Sequence, residues 1–229
     1  MTQATATLYA IPGSHSAQTG ELMVRHKGIH YRRVNLMPGF HRVFVRLRGF
    51  PGDRVPAVRF ADGRKAQGTR PLARALDDIV PEPRLVPADP RVEEAERWGE
   101  EVLQPWARRM VVEAGTRDPD SLEDRGGRGR LGPLLTARTP ARRPMSRLVK
   151  IAFRMTPSQL ADDQKRVGEV LDRVDGLIAE GVLDGEQLNC ADFQIATSLA
   201  LVDYRLDVRA KLRSRPAGAL VDRVLPEPG

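Results

Sequence analysis

Two hydroxyl groups flank an imidazole in the stretch LYAIPGSHSAQTGELMVRHKG, where Ser14 and Ser16 sit on either side of His15. The β-type residues before Pro12-Gly13 read as a strand, and those after it as a helix ending at Gly28, a residue that tolerates the left-handed C-terminal conformation. Serines at that junction have two uses. A hydroxyl can cap the helix by accepting a bond from a free backbone N–H. It can also help hold a reactive group, because a helix N-terminus favours negative charge.

The elements that position these serines come in two blocks. TATLYAI and IHYRRVNL read as strands around the first helix. Residues 37–54, with MPGFH and GFPGD, read as irregular with room for one helical turn. VPAVRFADGRKAQ reads as a hairpin over Val55–Ala61 and Lys65–Gln67, turning at Asp62-Gly63. A helix follows in GTRPLARALDDI, with Thr69 as its expected cap and Leu72, Ala75, Leu76 and Ile79 on one face. The proline-rich VPEPRLVPADP is then a linker, after which strand signals cease.

Asp89-Pro90 opens a helix, with Asp as cap and Pro in the first turn. Val92, Ala95, Trp98, Val102, Trp106 and Met110 follow at helical spacing. Residues 115–146 read as an irregular, basic connection. A helix over about 157–180 carries Leu160, Val167, Val170, Leu171, Val174, Leu177 and Ile178 as one stripe. LNCADFQIATSLALV reads as a central apolar helix. The expected domains are residues 1–82, a linker over 83–91, and an all-helical domain over 92–229.

Composition bounds the function classes. An apolar fraction of 41% supports a core, and no run approaches the length of a membrane span. The net charge of +7 rests on arginine, with only five lysines. No nucleic-acid motif accompanies the arginines, so neither nucleic acid nor membrane is an expected partner. ARRPMSRLVKIAFRM is basic and apolar together, a composition that can touch a membrane surface; its apolar residues are expected to pack on the helical domain instead. A single cysteine, Cys190, and no basic-then-apolar leader suggest a cytoplasmic setting.

Three motifs carry a resemblance. LYAIPGSHSAQTGELMVRHKGIHY, the VPAV pair and LNCADFQIA, in this order and at these separations, resemble the glutathione S-transferase superfamily over nearly the whole chain. The resemblance implies a thioredoxin-like α/β N-terminal domain followed by an all-α domain. It implies a cis bond before Pro56, and it makes Asn189 a cap, Asp192 its reciprocal partner and Leu188 a packing partner of Phe193. It also implies a homodimer, and glutathione as co-substrate for conjugation to a small-molecule electrophile, with no metal.

In that reading Ser14 is the catalytic hydroxyl. A free thiol is mostly protonated at neutral pH, and a hydroxyl donor together with a helix end can stabilise the thiolate. Ser16 is then a cap or supporting residue and Tyr9 an alternative donor. Val55, Pro56, Gln67, Thr69, His41, Arg42 and Arg54 are the expected thiol-binding residues. Tyr9, Pro12, Trp106 and Met110 are the expected electrophile pocket. Serine in place of cysteine at position 14 argues against mixed-disulfide chemistry, and Cys190 is expected to be a small buried apolar residue. One departure stands out: Gly68-Thr69 replaces the family's Glu/Gln-Ser pair, which leaves room for a different low-molecular-weight thiol. A non-catalytic protein that binds apolar ligands is the competing reading.

Overall fold

The computed structural model describes residues 6–122 and 142–225. The N-terminal layer is built on β1 (Ala6–Ala10), α1 (His15–His26) and β2 (Tyr31–Asn35). Next come α2 (His41–Leu47), β3 (Ala57–Phe60), β4 (Lys65–Gln67) and α3 (Thr69–Ile79). The four strands run in the order β2-β1-β3-β4, with β1 parallel to β2 and antiparallel to β3. A parallel pair needs a crossover connection, and α1 is that crossover. The turn at Asp62-Gly63 forms as expected: Gly63 has φ 89°, and the Asp62 carboxylate accepts from the N–H of Arg64 at 2.9 Å. This is a thioredoxin-like sheet.

The second layer is helical. It comprises α4 (Pro90–Trp98), a π-type turn over Gly99–Leu103, and α5 (Gln104–Arg117). Beyond these lie α6 (Arg142–Ala152), α7 (Pro157–Lys165), α8 (Val167–Ala179), α9 (Cys190–Val202), α10 (Leu206–Arg213) and α11 (Pro216–Val224). Every residue of α9 is buried. Its start is set by a reciprocal cap: the Asn189 side chain accepts from the N–H groups of Ala191 and Asp192, and the Asp192 carboxylate accepts from the N–H of Asn189 at 2.8 Å. Cys190 opens this helix as a buried residue, and burial pushes its thiol well above the usual range, so it is not an activated thiolate.

The two layers lock across α1 and α9. Thr19 and Thr197 share a buried hydrogen bond of 2.7 Å, and the rings of His26 and Phe193 lie 5.2 Å apart. The Lys27 side chain is completely buried. Its ammonium donates to the carbonyls of Val80 and Pro83, each at 2.6 Å, and pairs with Asp77 at 2.6 Å. Asp77 in turn accepts from the N–H groups of Leu85 and Val86. One amine thus gathers the end of α1, the end of α3 and the linker.

Four expectations are corrected. Residues 41–47 form a true helix, carried by an apolar side that buries Val45. The stretch 157–180 is two helices meeting at Arg166, not one. Gly68, with φ 88°, occupies the cap position of α3, and Thr69 is its first helical residue. Leu148, Ile151 and Phe153 do not pack inward; they are 60%, 74% and 53% exposed. Most of the 115–146 connection, residues 123–141, and the side chain of Leu160 lie outside the described residues.

Candidate active site

The local chain places Ser14 at the N-terminus of α1. Pro12-Gly13 turn the backbone, with Gly13 at φ 79° and the Ser14 N–H donating to the carbonyl of Ile11 at 3.1 Å. Ser14 is extended, as a cap residue must be, and its Oγ accepts from the N–H of Ala17 at 3.3 Å.

A chain of bonds connects Ser14 to the Val55-Pro56 loop. Ser14 Oγ and Ser16 Oγ lie 3.0 Å apart, and Ser16 Oγ donates to the carbonyl of Val55 at 3.3 Å. The Val55-Pro56 bond is cis, as expected. The carbonyl of Pro56 accepts from the N–H of Gly68 at 2.8 Å, which brings the start of α3 and Thr69 to the same loop. Pro56 presses on α1 at Gly20, where an added Cβ would meet the proline ring at 2.7 Å. Ser14, Ser16, Val55, Pro56, Gly68 and Thr69 are therefore one constellation drawn from three separate segments.

The direction of the hydroxyl bonds follows from counting protons. Each serine has one to donate. A carbonyl cannot donate, so Ser16 satisfies Val55 only by giving its own proton. The contact with Ser14 is then made by the Ser14 proton. All three contacts are satisfied together only in this direction.

Ser14 is half-exposed and lines a cavity of about 230 Å³ with Gly13, Gln18, Glu21, Leu22, Arg25 and Arg33. The wall is charged. Glu21 is buried, accepts from Arg25 at 2.9 Å and from the Tyr31 hydroxyl at 2.5 Å, and pairs with Arg33. Burial, and then donation to Glu21, raise the Tyr31 phenol above its ordinary range. The residues at 14, 18, 21, 22 and 25 share one face of α1, a spacing visible in the sequence. Arg33 joins them only because β2 lies parallel to β1.

His15 points the other way. It is buried, its Nε2 finds no partner, and burial, with a lesser push from Arg108, lowers its imidazole to about 3. Arg108, on α5, is itself lowered to about 10 by burial and then by Arg109. It brings a cation from the helical layer to the start of α1, which no local pattern announces. Glu100, on the π-type turn, is raised by burial while the nearby Arg70 and Arg54 oppose the rise.

The other expected site residues are distributed as follows. The side-chain amide of Gln67 is engaged by its own loop: it accepts from the N–H of Gly52 at 2.7 Å and donates to the carbonyl of Arg54 at 2.9 Å. It lines a second cavity, about 480 Å³, with Phe50, Pro51, Lys65 and Pro71. Arg54 and Arg42 are exposed, and Arg42 reaches Asp53 only at 3.8 Å. His41 is half-buried, its imidazole lowered by burial and by Arg42, and its Nδ1 accepts from the N–H of Gly39 at 3.1 Å. Pro12 is exposed beside Gly13.

Tyr9, Trp106 and Met110 require a correction. Tyr9 is buried between Phe44 and Phe50, each 5.8 Å away between ring centres. Trp106 is 1% exposed, and its indole N–H donates to the carbonyl of Asp163 at 2.9 Å. Met110 is 2% exposed, with its sulfur 3.6 Å from the Arg205 guanidinium. These three are core side chains.

Comparison with known proteins agrees with this architecture. Residues 8–84 match the family model for the glutathione S-transferase N-terminal domain. The fold is that of the glutathione S-transferases. No curated protein matches. Among solved structures, a glutathione S-transferase-like protein from Pseudomonas syringae has a TM-score of 0.68 at 16% identity, covering 97% of this chain and 67% of its own. A glutathione S-transferase of Ceriporiopsis subvermispora, in complex with glutathione, has a TM-score of 0.66 at 16% identity, covering 98% of each chain. One from Rhodospirillum rubrum has a TM-score of 0.60 at 19% identity, covering 98% of this chain and 93% of its own. Within this glutathione S-transferase fold the constellation around Ser14 lies in the segment that the family model matches. Among the described residues no cluster of His, Cys, Asp or Glu is suited to a metal, and no helix is long and apolar enough to cross a membrane.

Proposed function

We propose that the protein is a glutathione S-transferase-like enzyme that conjugates glutathione, or another low-molecular-weight thiol, to an electrophilic small molecule. The observation that carries this reading is the half-exposed Ser14 hydroxyl at the N-terminus of α1, hydrogen-bonded through Ser16 to the loop before Pro56. A thiol sulfur placed against that hydroxyl would meet a donor and the positive end of a helix at once. Both favour the thiolate over the thiol. The thiolate attacks the electrophile, forming a carbon–sulfur bond, and the leaving group or added proton balances the charge.

In this reading Val55 presents its backbone to the thiol ligand. Thr69 stands at the N-terminus of α3, where a carboxylate is favoured. His41, Arg42 and Arg54 face the same ligand from the α2 region. Gly68 occupies the position of the family's acidic or amide side chain, with a backbone angle that a side chain rarely adopts. That replacement favours the second reading, a ligand-binding protein that has kept the fold without the chemistry.

Conjugation of glutathione to a chromogenic electrophile, compared between the natural chain and Ser14→Ala, separates the two. Loss of rate in the variant with unchanged folding supports the enzyme. Equal rates, or a thermal shift with apolar ligands and none with glutathione, support the binding protein.

We also infer a homodimer. Met37, Phe40, Val43 and Leu47 form an apolar stripe at and beside α2, each at least 60% exposed, and a second copy would cover such a patch. Sedimentation of the natural chain and of Leu47→Glu tests it: a dimer that the variant turns to monomer is expected, and a natural monomer refutes it.

A further inference from the structure

The charge of this chain is concentrated. Between Arg125 and Ala161 there are nine Arg and Lys and no Asp or Glu, whereas the whole chain carries +7. The rest of the protein is therefore slightly acidic, and the basic character belongs to one segment.

Within that segment α6 has two different sides. One side packs on α5: Ser146 is fully buried, and its hydroxyl closes on Gly115 so tightly that a Cβ there would lie 2.3 Å from the oxygen. The other side carries Arg147, Leu148, Lys150 and Ile151, which share a face by helical spacing. Leu148 is 60% and Ile151 74% exposed, and Arg147 is exposed beside them. The turn after the helix adds Phe153, 53% exposed, and the exposed Arg154 at φ 50°. The Phe153 ring also lies 4.3 Å from the Arg108 guanidinium, which connects this surface to the helix facing His15.

Large aliphatic side chains held in water among cations fit one kind of partner best. We propose that the outer face of α6 and the turn that follows form a docking surface for an anionic phospholipid bilayer. The cations would meet the headgroups, and Leu148, Ile151 and Phe153 would enter the boundary between headgroups and acyl chains. Arg147, Lys150 and Arg154 on this face match the negative surface of such a bilayer, and the sequence from Arg125 to Ala161 holds no Asp or Glu to oppose them. A nucleic-acid surface would satisfy the cations and leave the aliphatic groups in water.

The test is co-sedimentation of the full chain with phosphatidylcholine vesicles, with and without about one third phosphatidylglycerol. Binding is expected only to the anionic vesicles, and it should weaken as salt rises. Arg147→Glu with Lys150→Glu should lower partitioning by at least about tenfold. Ile151→Ser should lower it by about tenfold. All three positions face solvent or its edge, so melting temperatures should be unchanged. If a variant fails to fold, hydrogen exchange on the natural chain decides, since anionic vesicles should protect residues 142–155. No sedimentation, equal binding to neutral vesicles, or insensitivity to Ile151→Ser would overturn the proposal. Binding to duplex DNA with none to vesicles would reassign the surface to nucleic acid.

Discussion

In the resting arrangement the proton of Ser14 is held by Ser16, because Ser16 gives its own to Val55. To stabilise a bound thiolate, Ser14 must turn away and surrender that bond. A hydrogen bond to a charged group contributes about 1.5–3 kcal/mol and a neutral one about 1 kcal/mol. The net gain from Ser14 is then about 1 kcal/mol, or less than one pKa unit at about 1.4 kcal/mol per unit. Ser16→Ala removes the competing acceptor. It should lower the pKa of the bound thiol by about 0.7 unit relative to the natural chain. Ser14→Ala should raise it by about 0.7 unit. The assay is the ultraviolet absorbance of the thiolate, followed against pH with the protein saturated in glutathione. A higher pKa in Ser16→Ala would refute the proton accounting, because it would mean that Ser16 supports the donor rather than competing for it.

Further outcomes follow from the same structure. Lys27→Met strands Asp77 against the linker and should cost about 3 kcal/mol, which corresponds to a melting temperature lower by roughly 6–12 °C. Gly20→Ala drives a methyl into Pro56 and Leu72 and should cost about 1–3 kcal/mol by denaturant titration, while also disturbing the Val55 loop. His15 is held neutral with its pKa lowered to about 3 from 6.5, so the unfolded chain binds one more proton between those values. Stability should therefore fall as pH drops from about 6.5 toward 3, at about 1.4 kcal/mol per unit from this group, and His15→Gln should flatten that slope. Equal slopes in the two chains would show that His15 is not the group responsible.

What the sequence by itself determined is local. Pro12-Gly13 and Ser14 start α1, Asp62-Gly63 turns the hairpin, and Asn189 with Asp192 starts α9. Each needs only residues a few positions apart, because capping and turn formation act over one turn of chain. The Arg166 junction escaped the apolar pattern because Val167, Val170, Leu171 and Val174 look the same in one helix as in two. Tertiary structure alone decided which side chains meet. It brought Ser16 to Val55, 39 residues away, and set Arg33 beside Ser14 through strand pairing. It also buried Trp106 against a carbonyl of α7, while leaving Leu148 and Ile151 in water on a helix whose composition suits either fate. Periodicity says that a side chain shares a face with others, but whether that face is covered depends on a partner element, and the partner is chosen by the whole chain.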